Sequence, residues 1–336
     1  MTPGALAPNI AGRRPPTPEP FSAMTSPSQA PVSAPDRERA VQALERAVAC
    51  AEKGVADRPV VLIEAADLAG LPAQDVRSLL DRVMMGEFAD EGLDSLLATG
   101  VLDAILPEVK AMVGFGDGEW RHKDVWKHTK QVVTQSVPRI EVRYGALFHD
   151  IGKVKTRSIS PDGEVHFFGH AEVGARMFDK MERRGKLFHH EQALRDEVRF
   201  LVLHHLRASQ YDGKWSDSAV RRFAREIGPS LDNLLCLSRA DITTKRPEKK
   251  RRGISMIDGL AERITELAAI DAKQPPLPTG LGTDLMSSFG IPPSKKLGDI
   301  KRALELAVEA GEIEERLESA AYIQFIAERK ARFGLE

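Results

Sequence analysis

Cysteine and long apolar runs are scarce in this sequence, and each scarcity excludes a class of protein. The chain of 336 residues has two cysteines, Cys50 and Cys236, which are too few for a disulfide framework and fit a reducing compartment. No apolar run approaches the roughly 20 residues that a membrane-spanning helix needs. The N-terminus also lacks the apolar core of a secretory signal. We therefore expect a soluble, cytoplasmic protein with no membrane partner.

An excess of charge of either sign is also missing. The 48 basic side chains nearly cancel the 49 acidic ones, and aromatic residues make up 6% of the chain. The overall charge therefore indicates no partner, and binding to nucleic acid would require a local basic surface. One candidate surface is "KRPEKKRR", residues 245–252. The alternative explanation for this segment is a solvated, flexible loop.

Helical periodicity dominates the chain after residues 1–36, which are rich in Pro, Ala and Ser and which we expect to form a disordered tail. Segments such as "KDVWKHTKQVVTQSV" and "ALRDEVRFLVLHHLR" repeat apolar residues at helical spacing. Only "RPVVLI" and "GEVHFF" are candidates for strands, and both are weak. The pattern predicts an all-α fold, a helical bundle with additional N- and C-terminal helices.

Histidine and aspartate form the most informative pattern. The nine histidines all lie between His122 and His205, and His205 shares the apolar face of its helix with Leu201 and Val202. Any single histidine of this kind is usually a hydrogen-bonded core residue, but the joint pattern indicates a metal site. Carboxylates on buried faces are costly unless they are paired or coordinated, and mixed His and Asp ligands suit Zn, Mn, Fe or Ni better than Ca. The candidate metal ligands are His128, His149, Asp150, His170, His205 and Asp241.

Several motifs, in order along the chain, resemble a known family. "DVWKHT", "ALFHDIGKVKTR", "FFGHAEVGA" and "LHHLRASQYDGKWSDSAVRRF" are similar to the HD region of bacterial CCA-adding tRNA nucleotidyltransferases and poly(A) polymerases. The His and Asp set resembles that of the HD superfamily of metal-dependent phosphohydrolases. The resemblance covers residues 78–325. It implies an N-terminal helical segment at residues 37–112, an HD domain at residues 113–252 and a C-terminal helical region at residues 253–336.

The resemblance also implies a chemistry. One or two divalent ions (Mn, Ni, Fe, Mg or Zn) would activate water and neutralise charge on a phosphate. Asp150 and Lys153 would be the catalytic residues, Lys153 as a point charge for the phosphate. A solvated lysine just past a helix end is the alternative explanation for Lys153. The first ion would be held by His128, His149, Asp150 and Asp241, and Asp150 would bridge to a second ion at His170 and His205.

Weaker candidates surround this set. Arg157, Arg207, Lys245 and Arg246 are possible contacts of the substrate phosphate. His204 points about 100° away from its neighbour on a helix, so its role as a ligand is left open. The aromatic residues of "QYDGKWSD" could stack on a base or pack a loop onto the core.

Two function classes follow from the resemblance. The first is a phosphohydrolase, a phosphodiesterase or phosphatase, for a phosphate ester of a nucleotide or an RNA, with tRNA and 2′,3′-cyclic phosphates among the candidates. The second is an RNA-binding or tRNA-binding regulatory module whose metal site is structural, and the complete ligand set favours the enzyme. The family's transferase part carries a Gly-Gly signature that this sequence lacks, and residues 37–77 are too few to hold that part. We therefore do not expect nucleotidyl transfer by this chain, and the oligomeric state is left open.

Overall fold

Helices joined by short turns make up almost all of the fold. The computed structural model describes residues 34–56, 59–68, 70–115, 124–273 and 275–335, and within these ranges the predicted all-α class is confirmed. Most of the predicted tail, residues 1–33, and His122 lie outside the described residues. None of the described helices combines the length and the apolar content that crossing a bilayer requires.

The helices follow one another from residue 34 to the C-terminal end. Short 3₁₀ turns lie at Ala208–Gln210, Gly228–Ser230 and Lys330–Phe333. The helices are α1 (Ala34–Lys53), α2 (Ala65–Leu68), α3 (Ala73–Met85), α4 (Ala89–Ala98), α5 (Val101–Ile105), α6 (Pro107–Lys110), α7 (Val125–Gln135), α8 (Ile140–Phe148), α9 (Lys153–Thr156), α10 (His170–Gly185), α11 (Gln192–His204), α12 (Asp217–Ile227), α13 (Leu231–Ala240), α14 (Pro247–Lys273), α15 (Leu281–Phe289), α16 (Lys295–Glu309) and α17 (Ser319–Ala327).

One small hairpin interrupts the helices. Strands β1 (Ser158–Ile159) and β2 (Val165–His166) pair antiparallel between α9 and α10, so part of the strand candidate "GEVHFF" is correct. The other candidate, "RPVVLI", forms no strand in its described residues 59–63. Ile63 donates a single backbone hydrogen bond to Thr99, and one bond cannot make a ladder.

The larger core belongs to residues 40–267 and packs α8 against α10 and α11. Aromatic rings fill its centre, with the Phe148 and Phe178 centroids 5.2 Å apart and those of Tyr144 and Phe188 5.0 Å apart. Edge-to-face pairs of this kind stabilise a core beyond the area that they bury. Phe148 is the last residue of α8, so the aromatic cluster fixes the point at which the predicted motif "HD" begins.

A second, smaller core lies in residues 277–335, where α15, α16 and α17 bury Leu285, Leu304 and Tyr322. Ion pairs connect the two parts, because Asp271 of α14 lies 2.7 Å from both Arg221 and Arg316. The domain boundaries stated above, including the one between residues 252 and 253 inside α14, stay predictions.

Candidate metal centre

The six candidate ligands share one structural position, the end of a helix. His128 lies in the first turn of α7 and His170 is the first residue of α10. His149, His205 and Asp241 directly follow the last residues of α8, α11 and α13, and Asp150 follows His149. Helix C-termini carry partial negative charge, so three of the five helices present the end that favours a cation. The structure brings all six side chains together in two adjacent groups, one of His128, His149 and Asp241 and one of Asp150, His170 and His205.

The first group joins α7, α8 and α13. The Nε2 atom of His128 lies 3.2 Å from Nε2 of His149 and 2.9 Å from Oδ1 of Asp241. His149 Nε2 lies 3.6 Å from the same carboxylate oxygen. Three ligand atoms from three helices therefore face one point, which is partly open to solvent because the Asp241 side chain is 29% exposed.

The second group is more deeply buried. The Nε2 atoms of His170 and His205 lie 3.1 Å apart, and Oδ1 of Asp150 lies 3.5 Å and 4.0 Å from them. The side chains of Asp150 and His205 are each 1% exposed. Water therefore has little access to these three ligand atoms.

Asp150 belongs to both groups. Its Oδ1 faces His170 and His205, while its Oδ2 lies 3.2 Å from His149 Nε2 and 3.5 Å from His128 Nε2. A carboxylate with one oxygen toward each group is the arrangement that a bridge between two cations requires. The predicted bridging position of Asp150 is therefore geometrically available.

Backbone carbonyls fix the orientation of three imidazoles. The Nδ1 atoms of His149, His170 and His205 lie 2.7–2.8 Å from the carbonyl oxygens of Ala146, Phe167 and Val202, each three residues earlier. A carbonyl only accepts hydrogen bonds, so Nδ1 carries a hydrogen in all three rings, and Nε2 is the atom left to bind a metal. This is the tautomer in which Nε2 binds a metal.

The second group is consequently a set of acceptors that face one another. His170 and His205 aim two Nε2 lone pairs at each other, and Asp150 Oδ1 is buried with no hydrogen-bond partner among the described residues. A proton shared by the imidazoles would relieve the repulsion, but burial lowers the pKa of His170 and lowers that of His205 to about 4. A divalent cation satisfies all three atoms, so the residues present fit a metal.

The charges around Asp150 and Asp241 also favour metal binding. Burial opposes ionisation of Asp150 and Asp241, but His149 and Lys153 hold the pKa of Asp150 well below its usual range. The hydrogen bond from His128 and the charge of His149 lower the pKa of Asp241 to about 2. Both carboxylates are therefore ionised at neutral pH, as metal ligands must be.

Lys153 lies at the rim of both groups. Its Nζ atom is 2.6 Å from Oδ2 of Asp150 and 5.7 Å from the centre of the Phe167 ring, and its side chain is 23% exposed. The ammonium thus stands between a buried carboxylate and solvent.

The other predicted phosphate contacts lie farther out. Arg157 is exposed just after α9, and Arg207 is engaged in an ion pair with Glu226. Lys245 and Arg246 are exposed on the loop between α13 and α14. Within the described ranges, none of these four cations forms an ion pair or a hydrogen bond with the six candidate ligands.

Other aromatic and histidine side chains pack rather than line the centre. The His204 ring lies 4.3 Å from that of Phe200 and belongs to neither group. Trp215 makes edge contacts with Tyr211 and Phe223, with centroids 5.4 Å and 5.5 Å away. The "QYDGKWSD" aromatics therefore pack their loop onto the core.

Sequence reasoning missed two residues that shape the centre. Thr243 is buried, and its Oγ1 lies 2.9 Å from Nδ1 of His128. Gly152 lies so close to α10 that a Cβ atom there would be 2.0 Å from the His170 carbonyl oxygen. The Gly in "HDIGK" was a visible signal of close packing, whereas nothing in the sequence connected Thr243 to His128.

Residues 124–245 of this helical bundle, which include all six candidate ligands, match the family model described as "HD domain". The chain therefore carries an HD domain, a class that binds divalent metals. Over 75% of its length it is 33% identical to the A-adding tRNA nucleotidyltransferase of Deinococcus radiodurans, of which it covers 58%.

Two further relatives carry related names. The CC-adding tRNA nucleotidyltransferase of Thermus thermophilus is 29% identical over 76% of this chain and 57% of its own length. The Multifunctional CCA protein of Ectopseudomonas mendocina is 29% identical over 37% of this chain and 31% of its own length. The chain thus spans somewhat more than half the length of the first two relatives, and the match includes the HD domain.

Proposed function

We propose that this chain is a divalent-metal-dependent phosphohydrolase that acts on a phosphate ester of a nucleotide or an RNA. The observation that supports the proposal most directly is the buried acceptor set of Asp150, His170 and His205 beside a second group that shares Asp150. A 2′,3′-cyclic phosphate, as found at RNA ends, is the first substrate that we would test.

Different residues would hold the cations and the substrate. His128, His149 and Asp241 would hold one ion, and His170 and His205 a second, with Asp150 between them. A divalent cation bound there would lower the pKa of water and offset the charge that develops on the phosphoryl oxygens. Zn, Ni, Fe and Mn suit this mixed nitrogen and oxygen set, whereas Mg, also a candidate from the sequence, prefers oxygen ligands.

Lys153 is the proposed phosphate contact nearest to the ligands. In the structure it neutralises Asp150 at 2.6 Å, so the carboxylate must exchange one positive partner for another when a cation binds. The released ammonium would then be free to hold a phosphate oxygen as a point charge. Arg157 and Arg207 are more distant candidates, and Arg207 would first have to leave Glu226.

The basic segment of residues 245–252 is the proposed contact for an RNA backbone. Lys245 and Arg246 are exposed four and five residues after Asp241, and residues 249–252 place four further positive charges in the first turns of α14. Positive charge is unfavourable at a helix N-terminus, and phosphates would relieve it. The names of the relatives give tRNA as the RNA to test first.

A second function class remains in competition. The relatives are named for nucleotidyl transfer rather than hydrolysis, which favours a module that binds tRNA and uses the metal only for stability. Such a module would bind metal and tRNA but turn over no phosphate ester.

The experiment compares two neighbouring histidines in the full-length protein. Metal content is measured by mass spectrometry, and Mn- or Ni-dependent hydrolysis is measured with 2′,3′-cyclic AMP and with a tRNA that ends in a cyclic phosphate. We expect turnover in the wild type and in His204→Asn, and a loss of at least tenfold with loss of metal in His205→Asn. Metal and tRNA binding without turnover would favour the binding module, and equal turnover in both variants would contradict the proposed site.

A further inference from the structure

His128 differs from the other three imidazoles of the centre in how its ring is held. His149 and His205 follow helix ends and use carbonyls of the last helical turn, which have no partner within the helix. His128 lies inside the first turn of α7, where the preceding carbonyls serve the helix ladder; its own backbone N–H bonds Asp124. The ring therefore needs a hydrogen-bond partner from another element.

That partner is Thr243, which comes from the loop between α13 and α14. Its Oγ1 lies 2.9 Å from Nδ1 of His128, across 115 residues of sequence. Thr243 is 6% exposed, so solvent cannot replace the hydroxyl, and a β-branched side chain has few χ1 alternatives.

The loop itself is anchored to α7. Gln135, two turns after His128 on the same helix, donates hydrogen bonds to the carbonyls of Ala240 and Ile242. Ile242 in turn packs against Gly253 of α14, where an added Cβ would lie 3.0 Å from its Cδ1 atom. The position of Thr243 relative to His128 is thus set by the tertiary structure on both sides.

We propose that Thr243 is a positioning residue for the metal centre: its hydroxyl bonds Nδ1 of His128 and so holds Nε2 of this imidazole toward His149 and Asp241. In the metal-free protein Nε2–H donates to Asp241, 2.9 Å away, and the hydroxyl donates to Nδ1; when a cation replaces the Nε2 hydrogen, the same hydroxyl accepts from Nδ1–H. Without the hydroxyl, the Nδ1–H of the metal-binding tautomer loses this acceptor in a buried position. The inference rests on the proposed metal function, but its test distinguishes a failure of the inference from a failure of that function.

The test compares Thr243→Val with Thr243→Ser and with Thr244→Val. Valine has the shape of threonine without the hydroxyl, serine keeps the hydroxyl, and Thr244 is the neighbouring threonine whose hydroxyl accepts from the Arg246 backbone N–H instead. Mn²⁺ and Ni²⁺ affinities of the metal-stripped full chain are measured by calorimetry. Loss of an orienting partner typically weakens metal binding by about 10- to 100-fold, which we expect for Thr243→Val only.

A second measurement does not depend on metal. Histidine side-chain ¹⁵N spectra of the metal-free protein report whether Nδ1 of His128 accepts a hydrogen bond, and His128→Asn assigns the signal. We expect a hydrogen-bonded Nδ1 in the wild type and in Thr243→Ser, and the chemical shift of an unbonded Nδ1 in Thr243→Val. A shift in a protein that binds no cation would support the inference while refuting the proposed function. An unchanged Nδ1 signal with unchanged metal affinity in Thr243→Val would overturn the inference.

Discussion

Replacing Asp150 by Asn tests the metal centre most directly, because this carboxylate touches both ligand groups. Asparagine keeps the size of the side chain in a site that is 1% exposed but removes the charge and turns one oxygen into a donor. That donor would point at lone pairs of His149 or His205 rather than at a cation. We expect Asp150→Asn to lose metal from both groups and to lose hydrolysis with it.

The same substitution should leave the metal-free fold largely intact. Breaking the pair with Lys153 would cost about 3–5 kcal/mol if both partners were buried, but Lys153 is 23% exposed and can turn to water. Against this cost, the variant removes the penalty of the unpartnered Oδ1 of Asp150, about 1–3 kcal/mol for a buried polar atom. The two effects nearly cancel, so the net change in the free energy of unfolding should stay below about 2 kcal/mol.

The assay is thermal unfolding with and without metal. A ligand at 100 times its Kd stabilises the folded state by about 2.7 kcal/mol, which raises Tm by about 4 °C for a chain of this size. We expect this rise in the wild type and in the control Asp258→Asn, whose carboxylate pairs with Arg239 away from the ligand groups. An Asp150→Asn protein with full metal content and the full rise in Tm would refute the assignment of Asp150.

Three further predictions concern pH, packing and RNA. Burial lowers the pKa of His205 from 6.5 to about 4. Between these two pH values the unfolded chain binds a proton at this residue and the folded chain does not. Metal-free stability should fall by up to about 3 kcal/mol as pH drops through this window, and urea unfolding at both ends of it should show a smaller loss in His205→Asn. Gly152→Ala should destabilise the fold by at least about 1–3 kcal/mol, because its Cβ meets the backbone of α10. At Gly259 no atom outside the helix backbone lies within 4 Å of an added Cβ. Gly259→Ala should therefore be neutral or stabilising by up to about 1 kcal/mol in the same denaturation experiment. Exchanging the six basic residues of 245–252 for Gln should weaken tRNA binding and flatten its dependence on salt; an unchanged salt slope would remove this segment from the interface.

Much of the fold could be predicted because it depends on local chemistry. Apolar residues at helical spacing determined the all-α class, since each helix can bury only one face. The same periodicity placed His205 with Leu201 and Val202 on a buried face, where an imidazole needs a partner. The succession of histidines and aspartates identified six residues that the structure brings into two adjacent groups, and the family resemblance supplied the order of the ligands.

What the sequence could not determine is which side chains meet across long separations. The contact between His128 and Thr243 spans 115 residues, and no periodic pattern encodes it. Arg207 looked available for a phosphate, but the fold places it beside Glu226. The segment "RPVVLI" has strand-like residues yet finds no neighbouring strand in its described part. Local sequence therefore determined the helices and the ligand types, whereas tertiary packing decided the partner of His128, the ion pairs and the bridging position of Asp150, because these depend on distances between elements that are remote in the chain.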